Sequence, residues 1–194
     1  RMKLVEQSLA EFPELSGRLE KILSSLERSF RLEQFMESLA DLEMVCRNNA
    51  VGERFKGFEQ GMSEALIETF RKLRSEAPEL FAVGAKRKSD FFRDIAGSRY
   101  LAIGEAVAQE AGLAFDLMLN VYDRSIIEVE NRITGENLEE MILSALGRTL
   151  KEFPELSEVS AQVEGAVKDA LKIELEETYV VGTGYGRARL PFSK

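Results

Sequence analysis

The residue types that carry most enzyme chemistry are scarce in this chain. It holds no His and a single Cys, Cys46. A His-based metal site, a Ser-His-Asp triad or a Cys-His dyad therefore cannot come from this chain alone. One Cys forms no intrachain disulfide and holds no iron–sulfur cluster by itself. Cys46 falls on the apolar side of a helical pattern near its end, which predicts a buried, inert thiol. Carboxylates are plentiful, with pairs at Glu128 and Glu130, Glu139 and Glu140, and Glu174, Glu176 and Glu177. None has the His partner that a carboxylate-bridged di-iron bundle needs, so solvated surface is the expectation. Gly182-Thr183-Gly184-Tyr185-Gly186-Arg187 follows the β-prone run Thr178–Val181 and superficially suggests a phosphate loop. It lacks the Gly-x-x-x-x-Gly-Lys-Ser/Thr spacing, no helical pattern follows, and Pro191 favours an extended exit.

Charge supplies the next candidate. The net charge is −8, from 26 Lys and Arg against 34 Asp and Glu. An acidic whole argues against general nucleic-acid binding. Residues 71–99 run the other way, with 8 basic and 4 acidic side chains. Lys86, Arg87, Lys88, Arg93 and Arg99, together with Arg71, Lys72 and Arg74, form an island able to meet an anionic ligand or partner. The simpler expectation is a solvated face whose cations pair with the chain's own acids. Phe91, Phe92 and Tyr100, interleaved with Arg93 and Arg99, read as an interface edge or as core packing with a charged rim.

Helices must position these groups. The chain has 194 residues, 44% of them apolar and 31% charged. These proportions suit a globular chain that needs no disulfide or metal to fold. No apolar run approaches the length of a transmembrane helix, and the N-terminus lacks a signal-peptide core. Arg1 before Met2 reads as an addition to the native start.

Apolar residues recur at three- and four-residue steps nearly throughout. The spacing predicts helices over about 15–47 (one long or two in line), 53–76, 90–111, 114–133, 137–152 and 157–173. Asn48 and Asn49 are expected to end the first through a left-handed conformation, with Gly52 close behind. A loop is expected at 78–85, and Ser89 as the N-cap of the next helix. Glu11-Phe-Pro-Glu-Leu-Ser16 recurs as Glu152-Phe-Pro-Glu-Leu-Ser157, with a weaker echo at Glu76-Ala-Pro-Glu-Leu80. Each reads as a helix–helix joint, Pro stopping one helix and starting the next. The expected fold is mainly α, a bundle of about six helices over 1–175, followed by a short strand and Gly-rich turn over 176–194. A lone strand needs a partner. It pairs locally or belongs to a sheet this chain does not contain.

The C-terminal run Tyr179-Val-Val-Gly-Thr-Gly-Tyr-Gly-Arg-Ala-Arg-Leu-Pro-Phe-Ser-Lys194 resembles a signature of the activator-type ATPases. These serve ATP-dependent benzoyl-CoA reductases and 2-hydroxyacyl-CoA dehydratases. Residues Gly84–Tyr100 and Asn120–Asn131 are similar to the helical region that precedes that signature in the larger ATPase subunit of benzoyl-CoA reductase. The resemblance implies an actin/Hsp70-like ATPase core and a [4Fe–4S] cluster shared by two such subunits. It also implies ATP-driven electron transfer from ferredoxin to the ring-reducing subunits, in the cytoplasm. The family's Asp-Gly-rich phosphate loop, its cluster-binding Cys residues and its second lobe are missing here. What carries over is Thr183, Gly184, Tyr185, Gly186 and Arg187, as part of a nucleotide-core loop and with no catalytic role. ATP with Mg²⁺ and the cluster would belong to the parent complex and not to this chain alone. The helical part would pack on the remaining ATPase core or shape contacts with other reductase subunits or coenzyme A phosphates, with the basic residues 86–99 as the candidate contact. The competing expectation is a stand-alone helical interaction protein, a dimer whose C-terminal strand pairs with a second copy. An autonomous nucleotide hydrolase is poorly supported, since one Gly-rich turn supplies neither Mg²⁺ ligands nor a positioned water.

Overall fold

Apolar positions spread along the whole of residues 19–49 let one helix serve two cores. In the computed structural model, which describes residues 1–86, 89–130 and 137–173, that helix is α2 (Leu19–Asn49). The other helices are α1 (Met2–Ala10), α3 (Glu59–Leu80), α4 (Phe92–Glu110), α5 (Phe115–Glu130), α6 (Leu138–Lys151) and α7 (Ser160–Leu171). The described residues are thus mainly helical and hold seven α-helices where the sequence pattern predicts about six. The additional one is α1. At nine residues it is too short to stand alone, and it is held by burying Val5, Ser8 and Leu9. The expected C-terminal strand and Gly-rich turn lie outside the described residues.

The helices form two storeys around α2. Ile22 and Leu26 of α2 join α1, α6 and α7 in one core, where Leu146 and Val163 are also fully buried. Phe35, Leu39 and Leu42 join α3, α4 and α5 in the other, around Leu66, Phe70 and Tyr100. The pairing is nested: α1 packs on α7, α2 on both α5 and α6, and α3 on α4. Cross-links confirm that partners run antiparallel. Asn137 Nδ2 donates to Glu37 at 3.1 Å, Ser144 Oγ to Glu33 at 2.7 Å and Ser25 Oγ to Glu152 at 2.7 Å. In the other storey, Asn49 Nδ2 donates to Ser125 Oγ at 3.1 Å, and Lys72 lies 3.6 Å from Glu110. The bend between α3 and α4 returns to the middle of α2. There the Phe35 ring sits 5.4 Å from Phe81 and 5.5 Å from Phe92, and Arg31 lies 3.4 Å from Asp90.

The repeated Phe-Pro-Glu-Leu segments do form matching joints. Each becomes a 3₁₀ turn, Pro13–Leu15 and Pro154–Leu156, with Pro in its opening turn and the Leu plugged into the core. Ser16 Oγ closes the first by donating to the Pro13 carbonyl at 2.8 Å. An Arg18–Glu155 ion pair ties the two joints together. The third echo forms no joint. Pro78 lies inside the last turns of α3, and the loop expected from residue 78 begins beyond Leu80. Pro78 forfeits one backbone bond, that to the Arg74 carbonyl, and buried Ala77 and Phe81 hold the turn in place. A 3₁₀ turn without Pro, Glu53–Phe55, performs the same change of direction between α2 and α3. It uses Gly52 at φ 113° and Gly57 at φ 87°, conformations that L side chains resist. Asn48 and Asn49 remain helical, and no non-Gly described residue has positive φ. The amide of Asn49 is committed to Ser125 instead of to its own backbone.

Candidate functional site

The basic island is carried by the end of α3, the bend after it and the start of α4. Lys86 is exposed in the bend, while Arg87 and Lys88 lie outside the described residues. Lys86 and Arg99 line one cleft of about 530 Å³, with Leu80, Ser89, Asp94, Ile95 and Ser98. Arg93 points elsewhere, 3.4 Å from Glu130 of α5. The geometry therefore brings Lys86 and Arg99 together and separates Arg93 from them.

Most of the island's charge is answered within the protein. Arg99 lies 3.6 Å from Glu76, and Lys72 bridges Glu68 at 3.8 Å and Glu110 at 3.6 Å. Arg74 pairs with Glu43. Arg71 donates from Nε and an NH₂ group to both oxygens of Glu68 at 2.7 Å, which holds that carboxyl below its ordinary range. Such exposed pairs are worth little to stability, but they offset the charges of Arg71, Lys72, Arg74 and Arg99. The Ser89 cap is displaced by two residues: Phe91 is the N-cap of α4. Ser89 Oγ instead accepts from Phe91 N at 3.1 Å and donates to Asp94 at 2.6 Å.

The aromatic run divides as residue spacing on a helix requires. Tyr100 is fully buried and Phe92 packs on Phe35, while Phe91 remains 75% exposed. Val83 in the same bend is 81% exposed. A second cleft of about 530 Å³ runs between the end of α2 and the start of α3. Met44 and Val51 line it, with Glu43, Arg47 and Glu59 at its edge.

Cys46 is buried, as expected, within a polar cluster that the sequence pattern did not reveal. Burial pushes its thiol up to about 12, partly opposed by a hydrogen bond with Ser125. Ser125 Oγ donates to the Val121 carbonyl at 2.7 Å. Tyr100 stacks on Tyr122 with ring centroids 4.3 Å apart and donates to the Met118 carbonyl at 3.1 Å. Burial raises both phenols. Tyr122 Oη is buried with no hydrogen-bond partner among the described residues. A thiol and two phenols held protonated provide neither a nucleophile nor a base at neutral pH.

The carboxylates of Glu128, Glu130, Glu139 and Glu140 are exposed, and Glu174, Glu176 and Glu177 lie outside the described residues. No group of His, Cys, Asp and Glu able to hold a metal ion occurs among the described residues. No helix among them is long and apolar enough to cross a membrane. Thr183, Gly184, Tyr185, Gly186 and Arg187 lie outside the described residues. No family model, curated protein or solved structure matches the chain.

Proposed function

We propose that this chain is a helical insertion in the larger ATPase subunit of an ATP-dependent benzoyl-CoA reductase, serving subunit contact or coupling. Its parent is named by the resemblance of residues 179–194. The observation that supports the insertion is the position of the helical region's two ends. Its first and last described helices, α1 and α7, pack directly on each other. A parent fold accommodates a domain with adjacent ends by opening one of its own loops. ATP, Mg²⁺, the [4Fe–4S] cluster and the exchange with ferredoxin then belong to the parent complex in the cytoplasm. The helical part contributes a binding face. That face is the bend between α3 and α4, where Lys86, Phe91 and Val83 project with Arg87 and Lys88 in the same stretch of sequence.

The test is made in the assembled reductase. Replacing Lys86, Arg87 and Lys88 with Glu reverses the charge of this stretch. Subunit co-purification and ring reduction should fall several-fold while helicity is unchanged. Full assembly and full activity in that variant would refute the role.

The exposed Met44 and Val51 favour a second reading, a stand-alone helical interaction module, since apolar side chains lining a cleft commonly mark a protein contact. A defined homodimer of the isolated chain by light scattering, disrupted by Val51→Glu, would support that reading over the insertion.

A further inference from the structure

We propose that Arg54 and Arg124 form a binding site for a single phosphate-type oxyanion at the end of the molecule opposite the Pro-containing joints. Arg54 comes from the 3₁₀ turn Glu53–Phe55 and Arg124 from the middle of α5. Both line one hollow of about 90 Å³ with Asn49, Asn120 and the apolar Phe55 and Leu117. No carboxylate lines it.

Most of the described arginines pair with a carboxylate, whereas Arg54 and Arg124, like Arg47, do not. Carboxylates outnumber cations by eight. Arg18, Arg31, Arg71, Arg93, Arg99 and Arg148 each take a carboxylate partner. Arg54 and Arg124 have no ion pair or hydrogen bond among the described residues. Neighbouring Glu53 instead faces Lys56 at 3.8 Å. Two like charges turned to one hollow repel each other, and an oxyanion between them converts that repulsion into two charge-assisted hydrogen-bonding pairs.

The remaining donors suit the same ligand. Asn120 Nδ2 spends one proton on the Asp116 carbonyl at 2.6 Å, and Asn49 Nδ2 spends one on Ser125. Each amide has a second N–H available. The guanidinium fork matches phosphate oxygens in a plane. Phe55 and Leu117 give the hollow an apolar side. The hollow has room for one oxyanion group and not for a nucleotide, so the ligand is free phosphate or the phosphate end of an ester.

Calorimetric titration of the full chain with inorganic phosphate at low ionic strength tests the site, with phenyl phosphate as a second probe. Saturable one-to-one binding is expected, weakened about tenfold or more by Arg54→Gln and by Arg124→Gln. Lys151→Gln, a cation outside the hollow, should leave it unchanged. Tighter binding of phenyl phosphate supports an ester seated on Phe55 and Leu117, and equal binding supports free phosphate. Circular dichroism confirms that each variant keeps its helices. No saturable binding, or equal weakening by all three substitutions, overturns the site.

Discussion

Two glycine-to-alanine substitutions, both inside helices, should change stability in opposite directions. Alanine gains about 1 kcal/mol over glycine in a helix interior, because it restricts the unfolded backbone more. At Gly165 in α7 a new Cβ meets nothing within 4 Å. Gly165→Ala should therefore keep the whole gain, raising the melting temperature by roughly 2–4 °C for a chain of this size. At Gly104 in α4 the Cβ would sit 3.0 Å from Phe115 Cε2 and 3.6 Å from Tyr100 Cε1. Carbon atoms pack best at about 3.5–4.0 Å, so the Phe115 ring must retreat by roughly half an ångström. Tyr100, fully buried and hydrogen-bonded to the Met118 carbonyl, holds the other side of the new methyl in ordinary contact, so the relief must come from Phe115. Overpacking costs about 1–3 kcal/mol, which leaves Gly104→Ala destabilised by about 1 kcal/mol after the propensity gain. The two variants should thus differ by about 2 kcal/mol in urea unfolding followed by circular dichroism. In a Phe115→Leu background, which removes the ring edge, the penalty at position 104 should fall by at least half. Equal stabilisation by both alanines would refute this account of how α4 meets α5.

Other measurements address the buried cluster and the bend. Cys46 should resist thiol reagents at pH 8 in the folded protein and react only after unfolding, as labelling monitored by mass spectrometry will read. Its folded thiol titrates at about 12 against an ordinary 9.0. The unfolded state therefore releases this proton first, and the associated stability is complete below pH 9 and lost between 9 and 12. The stability difference between the native protein and Cys46→Ala should accordingly shift against the native protein from pH 8 to pH 11, as paired urea titrations will show. Phe35→Ala removes the ring that holds Phe81 and Phe92 at the middle of α2, at a cost of about 3–5 kcal/mol. Trypsin should then cut at Lys86 many times faster, and unchanged digestion would show that the bend does not depend on this contact.

The six helices expected from three- and four-residue spacing all occur, because each buries a continuous apolar stripe. What the pattern could not give was partnership. Helix α1 carries only two large buried apolar residues, and its reason to be helical lies on α7, far away in sequence. Pro78 reads locally as a stop, but Phe81 seated on Phe35 keeps the helix going past it. Asn49 reads as a left-handed terminator until Ser125 claims its amide. The repeated Phe-Pro-Glu-Leu joints were legible as joints, whereas their meeting through Arg18 and Glu155 was not. The basic island was visible as a composition shift. Its division into Lys86 with Arg99 on one cleft and Arg93 against Glu130 of α5 depends on helix phase. The hollow of Arg54 and Arg124 leaves no trace in composition, since its two cations stand 70 positions apart.

Helix α2 has a consequence for stability. Its 31 residues make a rod of roughly 45 Å, and every other described helix touches only one storey or ends near the middle. Because this one helix supplies apolar residues to both cores, neither storey can lose its packing without exposing part of the helix on which the other depends, and the two are tied into one cooperative unit.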